Sequence, residues 1–239
     1  MDVPEPRPAL LFDLDGTLTD PFVGITRSLQ YAMEKLGRPA PAADDLRWCI
    51  GPPLKLAFAT LLDTEDEAAL DEGVRLYRGR YATIGKFENK LIPGIPQTLA
   101  AFVDQGYFLS VATSKLKTYA GDIIDHFDLR RYFDVLHGSE LDGRNAMKGD
   151  LVGHILATER LAATNTVMIG DRSHDIAGAN ANGVASIGVL WGYGDLAELT
   201  AAGATSIAKR PSELPHLVDA ILHTRDVRSS GWRPRPNRL

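Results

Sequence analysis

The sequence predicts an α/β protein: a parallel sheet with helices on both faces, and a small all-helical domain inserted after the first strand. Three observations carry this expectation. A short apolar run, Ala9 to Leu14, stands near the N-terminus and reads as a buried strand. The segment from Ala42 to Gly85 then reads as helices only, with a turn at Gly51-Pro52-Pro53. Beyond Pro93-Gly94, apolar strands alternate with helical stretches, a pattern that implies right-handed crossovers between parallel strands. The expected division is a main domain over residues 1–20 and 87–226, a helical insertion over 21–86 and a tail over 227–239.

Each element follows from local chemistry. Gly16 and Thr17 break the first strand, and Phe22, Ile25, Leu29, Met33 and Leu36 then recur at helical spacing. Gly37 and Pro39 stop that helix. After the boundary, helices are expected at Ile95 to Gln105, Thr118 to Phe127, Lys148 to Arg160, His174 to Ala181 and Glu213 to His223. The strands between them are expected at Tyr107 to Ala112, Phe133 to Leu136, Thr166 to Ile169, Ala185 to Val189 and Thr205 to Ala208. From Thr224 onward the chain is rich in Arg, Pro and Ser, with too few apolar groups to offset the entropy of ordering. A segment without fixed structure is expected there, with a basic docking arm as the alternative.

Composition bounds the function. With 239 residues, 44% of them hydrophobic, the chain has ample material for a buried core. The formal net charge of -5, with no basic patch in the folded part, argues against nucleic acid as a partner. The single cysteine, Cys49, excludes an internal disulfide framework and fits a reducing compartment. No apolar run approaches the roughly 18 residues of a membrane helix. Met1 to Pro8 is polar and proline-rich, without the apolar region of a signal peptide. The expected setting is therefore the cytoplasm, away from membranes, as a monomer or homodimer.

Chemistry-bearing residues gather at strand ends, where open parallel sheets bind their ligands. In Phe12-Asp13-Leu14-Asp15-Gly16-Thr17, two carboxylates stand two apart at the end of an apolar strand. Strand alternation puts residues two apart on one face, and the glycine after Asp15 lets the chain turn there, so both can reach one centre. Gathered carboxylates repel one another, and an oxygen-preferring cation such as Mg²⁺ would offset that. In Val111-Ala112-Thr113-Ser114-Lys115, hydroxyls at a helix start form a phosphate cradle, although a simple helix cap explains Thr113 or Ser114 equally well. Lys148 opens a helix, where the dipole disfavours a cation; a solvated surface lysine is the plain alternative. In Met168-Ile169-Gly170-Asp171-Arg172-Ser173-His174-Asp175, a strand ends at Gly-Asp and a second acid follows one helical turn later. Asp171 suits a metal, Asp175 suits bracing or capping, and His174 reads as an exposed helix residue.

Taken together, the ordered motifs Asp-x-Asp-Gly-Thr, Thr-Ser-Lys, a lone lysine and Gly-Asp-x-x-x-Asp resemble those of the haloacid dehalogenase superfamily of phosphatases, over about Leu10 to Leu222. The resemblance implies a Rossmann-like core and a helical cap. It implies that Asp13 is the nucleophile and forms an aspartyl-phosphate, and that Asp15 is the general acid and base. Thr113 would hold phosphoryl oxygens, with Ser114 and Lys115 beside it, and Lys148 would neutralise nucleophile and phosphate. Mg²⁺ would be held by Asp13, the backbone carbonyl of Asp15 and Asp171, with Asp175 orienting Lys148 or a metal-bound water. The hinge strands would be Thr17 to Pro21 and Lys86 to Pro93, and Ile50 to Leu54 looks like the substrate-specificity loop. Gly51, Arg47 and Lys55 are its candidate substrate contacts, although Arg47 and Lys55 read equally as solvated charges on helix faces.

Arg172 departs from the Thr or Ser usual in the phosphoglycolate-phosphatase branch. With Thr-Ser-Lys it resembles a branch linked to nucleoside monophosphate hydrolysis. The expected substrate is thus a small phosphorylated metabolite, a nucleoside 5′-monophosphate ahead of phosphoglycolate or pyrophosphate. A sugar phosphomutase and a non-catalytic binding module are the remaining alternatives. Trp191-Gly192-Tyr193-Gly194 follows a strand end and is open between lining the site, a subunit contact and packing on the core.

Overall fold

The computed structural model describes residues 7–229, and its first strand, β1 (Ala9–Phe12), is buried at every position. The remaining strands are β2 (Thr19–Asp20), β3 (Lys90–Leu91), β4 (Phe108–Leu116), β5 (Val135–Ser139), β6 (Thr166–Gly170), β7 (Ala185–Val189) and β8 (Ser206–Ala208). Six of them form one parallel sheet in the order β5-β4-β1-β6-β7-β8, so β1 lies between β4 and β6. Helices cover both faces, and the two-residue side-chain period of β1 assigns them. Leu10 and Phe12 pack with α4 (Ile95–Asp104), α5 (Lys117–His126) and α9 (Leu214–Ser229). Leu11 points the other way, against α6 (Lys148–Thr158) and α7 (Ser173–Ala181).

Between β2 and β3 the chain is helical, with α1 (Phe22–Lys35), a 3-10 turn at Ala43–Cys49, α2 (Leu54–Leu62) and α3 (Glu67–Tyr81). This insertion has its own apolar centre, where Leu29 and Met33 of α1, Phe58 of α2 and Leu70 and Tyr77 of α3 meet. It joins the sheet domain through the antiparallel ribbon of β2 and β3, with Thr19 opposite Leu91 and Asp20 opposite Lys90. Both ribbon strands fall within the segments expected as hinges.

Three features differ from the sequence expectation. β4 does not stop at Ala112 but continues through Thr113, Ser114 and Lys115 to Leu116, with a register shift against β5 between Ala112 and Leu116. The strand bends there instead of ending, so the N-cap of α5 is Leu116, and the capping explanation for Thr113 and Ser114 falls away. A short helix, α8 (Leu196–Ala201), was not anticipated; Asp195 caps it by accepting the Glu198 amide at 2.8 Å. The last helix runs to Ser229, past the expected end at His223. The expectation for the tail's final residues, 230–239, lies outside the described residues. Among the described residues, no helix is long and apolar enough to cross a membrane.

Candidate active site

Strand register assembles the site. Phe12 lies opposite Val111 on one neighbour and Ile169 on the other. Asp13 follows directly, its amide donating to the Ile169 carbonyl at 2.9 Å. Counting outward along the ladders, Thr113 and Asp171 emerge from the flanking strands one step beyond Asp13. Three tips therefore project the chemistry-bearing side chains into one place. All are buried, Asp13 at 4%, Thr113 at 2% and Asp171 at 0% relative exposure.

Lys148, the first residue of α6, reaches into this centre and is not a surface lysine. Its ammonium donates to Asp13 Oδ1 at 2.6 Å and to the Ala112 carbonyl at 2.7 Å. It also lies 2.7 Å from Asp175 Oδ1. Asp175 in turn accepts the Arg172 amide at 3.1 Å, at the start of α7. Asp171 Oδ2 accepts the Tyr193 amide at 2.7 Å. Gly16 is required beside it. Its φ is +86°, and a Cβ there would fall 2.1 Å from Asp171 Oδ2.

Asp15 turns away from this group. Its Oδ2 lies 2.7 Å from the Lys115 ammonium, while Oδ1 is buried without a hydrogen-bond partner. Lys115 also donates to the Tyr81 hydroxyl of α3, and its ammonium sits 4.6 Å from the centre of the Tyr81 ring. Core and insertion thus meet at a buried cation.

The electrostatics follow from burial. Desolvation lifts Asp13 to about 6, against the pull of Lys148 and with a push from Asp175. Asp171 is raised well above the usual carboxylate range by burial, then by Asp13 and Asp175. Asp15 is raised by burial, which Lys115 partly offsets. Burial pulls Lys148 down, but Asp13 and Asp175 outweigh it and hold the lysine firmly protonated. Potential ligand atoms of Asp13, Asp171 and Asp175 all lie within 4.8 Å of one another. Asp15 is matched by Lys115, whereas Lys148 is the cation paired within the three-carboxylate cluster, with Asp13 and Asp175. When all are ionised, two negative charges stay uncompensated in a dry site. The donor set, all hard oxygens, fits a divalent cation such as Mg²⁺. Asp13 meets Lys148 through Oδ1, and Asp171 accepts the Tyr193 amide through Oδ2. Asp175 is engaged with Lys148, and the Asp15 carboxylate is directed at Lys115 and away from the cluster.

A cleft of about 330 Å³ opens beside Asp15 between the sheet domain and the helical insertion. Tyr77, Tyr81 and Tyr119 line it, together with Ser114, Lys115 and the Gly51–Lys55 loop. Tyr77 and Tyr81 stack with centroids 5.1 Å apart and planes 13° from parallel. Among the other expected contacts, Lys55 stands at the cleft but is exposed, held by Asp71 at 2.9 Å and by Glu67. Arg47 is not a lining residue; its guanidinium lies 5.3 Å from the ring centres of both Phe22 and Tyr193. The aromatic partners, which sequence spacing does not reveal, draw it out of the cleft. His174 is exposed, as expected.

Sequence reasoning missed the cleft tyrosines, the Lys115–Asp15 pair and the role of Tyr193. The Trp191–Gly194 segment packs on the site's floor. Trp191 donates from Nε1 to the Thr17 carbonyl at 3.0 Å, and the Tyr193 hydroxyl bonds Asp20. The strand end before that segment was the available signal; its direction was not.

Comparison with known proteins agrees with this geometry. The haloacid dehalogenase-like hydrolase model matches residues 10–189. A 5′-nucleotidase of Pseudomonas aeruginosa is 48% identical over 194 residues, covering 81% of this chain and 87% of that protein. The tyrosine-protein kinase PtkA of Mycobacterium tuberculosis is 36% identical over 212 residues, covering 89% and 72%. The crystal structure of a "predicted phosphatase" from Clostridium acetobutylicum superposes with a TM-score of 0.84 at 37% identity, covering 91% of this chain and 99% of that one. With the motif residues gathered at the strand tips and these relatives alongside, the chain belongs to the haloacid dehalogenase-like hydrolase family, as one of its phosphatases.

Proposed function

We propose that the protein is a Mg²⁺-dependent 5′-nucleotidase that works through an aspartyl-phosphate on Asp13. The observation that carries this reading is the pairing of an undercompensated buried acid cluster with a second acid, Asp15, one of whose oxygens is buried and unpartnered. An Asp13 oxygen attacks phosphorus as the bond to the leaving oxygen breaks, and a protonated Asp15 gives its proton to that oxygen. Water then attacks phosphorus, Asp15 takes the water's proton, and the bond to Asp13 breaks to restore the carboxylate. Lys148 neutralises the nucleophile and the transferring group throughout, and Thr113 with Ser114 holds phosphoryl oxygens. Asp13, the Asp15 carbonyl and Asp171 would hold Mg²⁺, which supplies charge neutralisation at the phosphoryl oxygens.

The cleft supports a nucleoside leaving group. A volume of about 330 Å³ lies in the range of small-molecule sites. The aromatic lining, with Tyr119 only partly buried, offers a planar base an apolar contact that a glycolate would leave unused. On this reading residues 21–86 act as a cap over a core of 1–20 and 87–226. The partner is a small phosphorylated metabolite and not nucleic acid or a membrane, and the protein works in the cytoplasm as a monomer or homodimer.

The test is phosphate release from a panel of nucleoside 5′-monophosphates, phosphoglycolate, pyrophosphate and sugar phosphates, with Mg²⁺ and with EDTA. Preferential, EDTA-sensitive release from nucleotides is expected. Release from phosphoglycolate alone refutes the substrate assignment, and EDTA-insensitive release refutes the cation's role.

A further inference from the structure

We infer that Arg172 is a positioning residue that clamps the cap's substrate-facing loop to the loop carrying Asp171. Arg172 follows Asp171 directly, yet its side chain takes no part in the acid cluster. Its Nε donates to Glu198 Oε1 at 2.9 Å, and its Nη1 crosses to the cap and donates to the Ile50 carbonyl at 2.7 Å. The side chain is 15% exposed, so both bonds are sheltered from water.

The anchor end is rigid. Glu198 Oε1 also accepts the Ser173 amide at 2.8 Å, and the Glu198 amide is fixed by Asp195 at the start of α8. The guanidinium fork is planar, so a carboxylate at one edge fixes where the other edge points. It points at the residue before Gly51.

The receiving end is shaped for it. Gly51 has φ +107°, and a Cβ there would come within 3.0 Å of Arg172 Cγ. The missing side chain is what lets the loop approach. Pro52 and Pro53 follow, limiting the loop's alternatives, and Gly51, Pro52, Pro53 and Leu54 all line the cleft. Ile50 is anchored in the insertion's apolar centre, and this contact ties that loop to the segment after Asp171. Charge-assisted bonds are the stronger kind, and this one is partly shielded from water. Seating the loop narrows the cleft around the leaving group. Arg172 therefore acts on substrate capture more than on phosphoryl transfer, a consequence that rests on the phosphatase reading. The clamp itself does not.

Amide hydrogen exchange with steady-state kinetics tests it. In Arg172→Gln, exchange at Ile50, Gly51 and Leu54 should quicken roughly tenfold or more, the effect of losing one charged hydrogen bond. KM for the best substrate should rise about tenfold with kcat nearly kept. Arg172→Lys should recover part of both. Gly51→Ala leaves the Arg172–Glu198 pair intact but pushes the loop off, and should speed exchange in the same amides; it serves as well if Arg172→Gln does not fold. Wild-type exchange in folded Arg172→Gln or Gly51→Ala overturns the proposal. A collapse of kcat with KM and exchange unchanged overturns it too. If the wild type hydrolyses no phosphate ester, the phosphatase reading fails, and the exchange measurement still decides the clamp.

Discussion

Asp13, Thr113 and Asp171 stand beside the cleft on a wall of the site fixed by hydrogen-bonded strand register, whereas Tyr77 and Tyr81 line the cleft on a wall fixed by how the helices of the insertion pack. The first wall is charged and dry, and its groups are locked by short ionic contacts around Lys148. The second is aromatic, and it reaches the first through Lys115 and Arg172. The difference separates two tasks. Bond-making needs groups placed to within a fraction of an ångström, which a ladder supplies. Choosing a leaving group needs a surface that fits, which helices supply and can vary without disturbing the ladder.

Substitutions on the two walls should therefore behave differently. Asp13→Asn keeps size and burial but removes the attacking charge, so phosphate release should fall about 10⁴-fold or more while unfolding stays cooperative. Lys148→Met should lower kcat by about 10²–10³, the cost of losing one preorganised charge partner of the transition state. On the opposite wall, Tyr77→Leu keeps apolar volume and removes a stacking ring. KM for a nucleotide should rise about tenfold or less with kcat retained, as full kinetics on a nucleotide and a non-aromatic phosphate would show. A kcat collapse in Tyr77→Leu would erase the distinction between the walls.

The smallest expected effect concerns pH. Asp13 is raised to about 6 by burial, above its ordinary value of 3.8. A carboxyl raised on folding favours the protonated folded state, so its contribution is fully present below the ordinary value and is lost as pH rises through about 6. In a chelator, the Tm of the wild type should fall relative to that of Asp13→Asn between about pH 4 and pH 6. Saturating Mg²⁺ should flatten this difference, since binding to the folded state adds stability by mass action.

The two walls also differed in how well they could be read from sequence. The strand tips were legible because their signals are local: an apolar run ending in an acid, at Phe12-Asp13 and again at Gly170-Asp171. Lys148 gave only its unusual place at a helix start, and its burial between two aspartates required the fold. The Thr-Ser-Lys segment misled as to element, because a bulge that bends β4 leaves no periodic trace. Lys115, Arg172 and Tyr81 join residues far apart in sequence across two domains, and no spacing encodes such contacts. Arg172 stood out as a departure from motif, but its partner Ile50 lies 122 residues away.

The central claim is that Asp13 makes and breaks the bond to phosphorus. Asp15→Asn removes the group that would activate water for the second step, so a covalent adduct should accumulate with a substrate whose leaving group needs no proton, such as p-nitrophenyl phosphate. The protein would be quenched during turnover and its peptides analysed by mass spectrometry. The account predicts phosphate on the peptide bearing Asp13, in stoichiometric amount in Asp15→Asn and transiently in the wild type. Wild-type turnover with no phosphorylated Asp13 at any quench time, or an adduct on another residue, would contradict it.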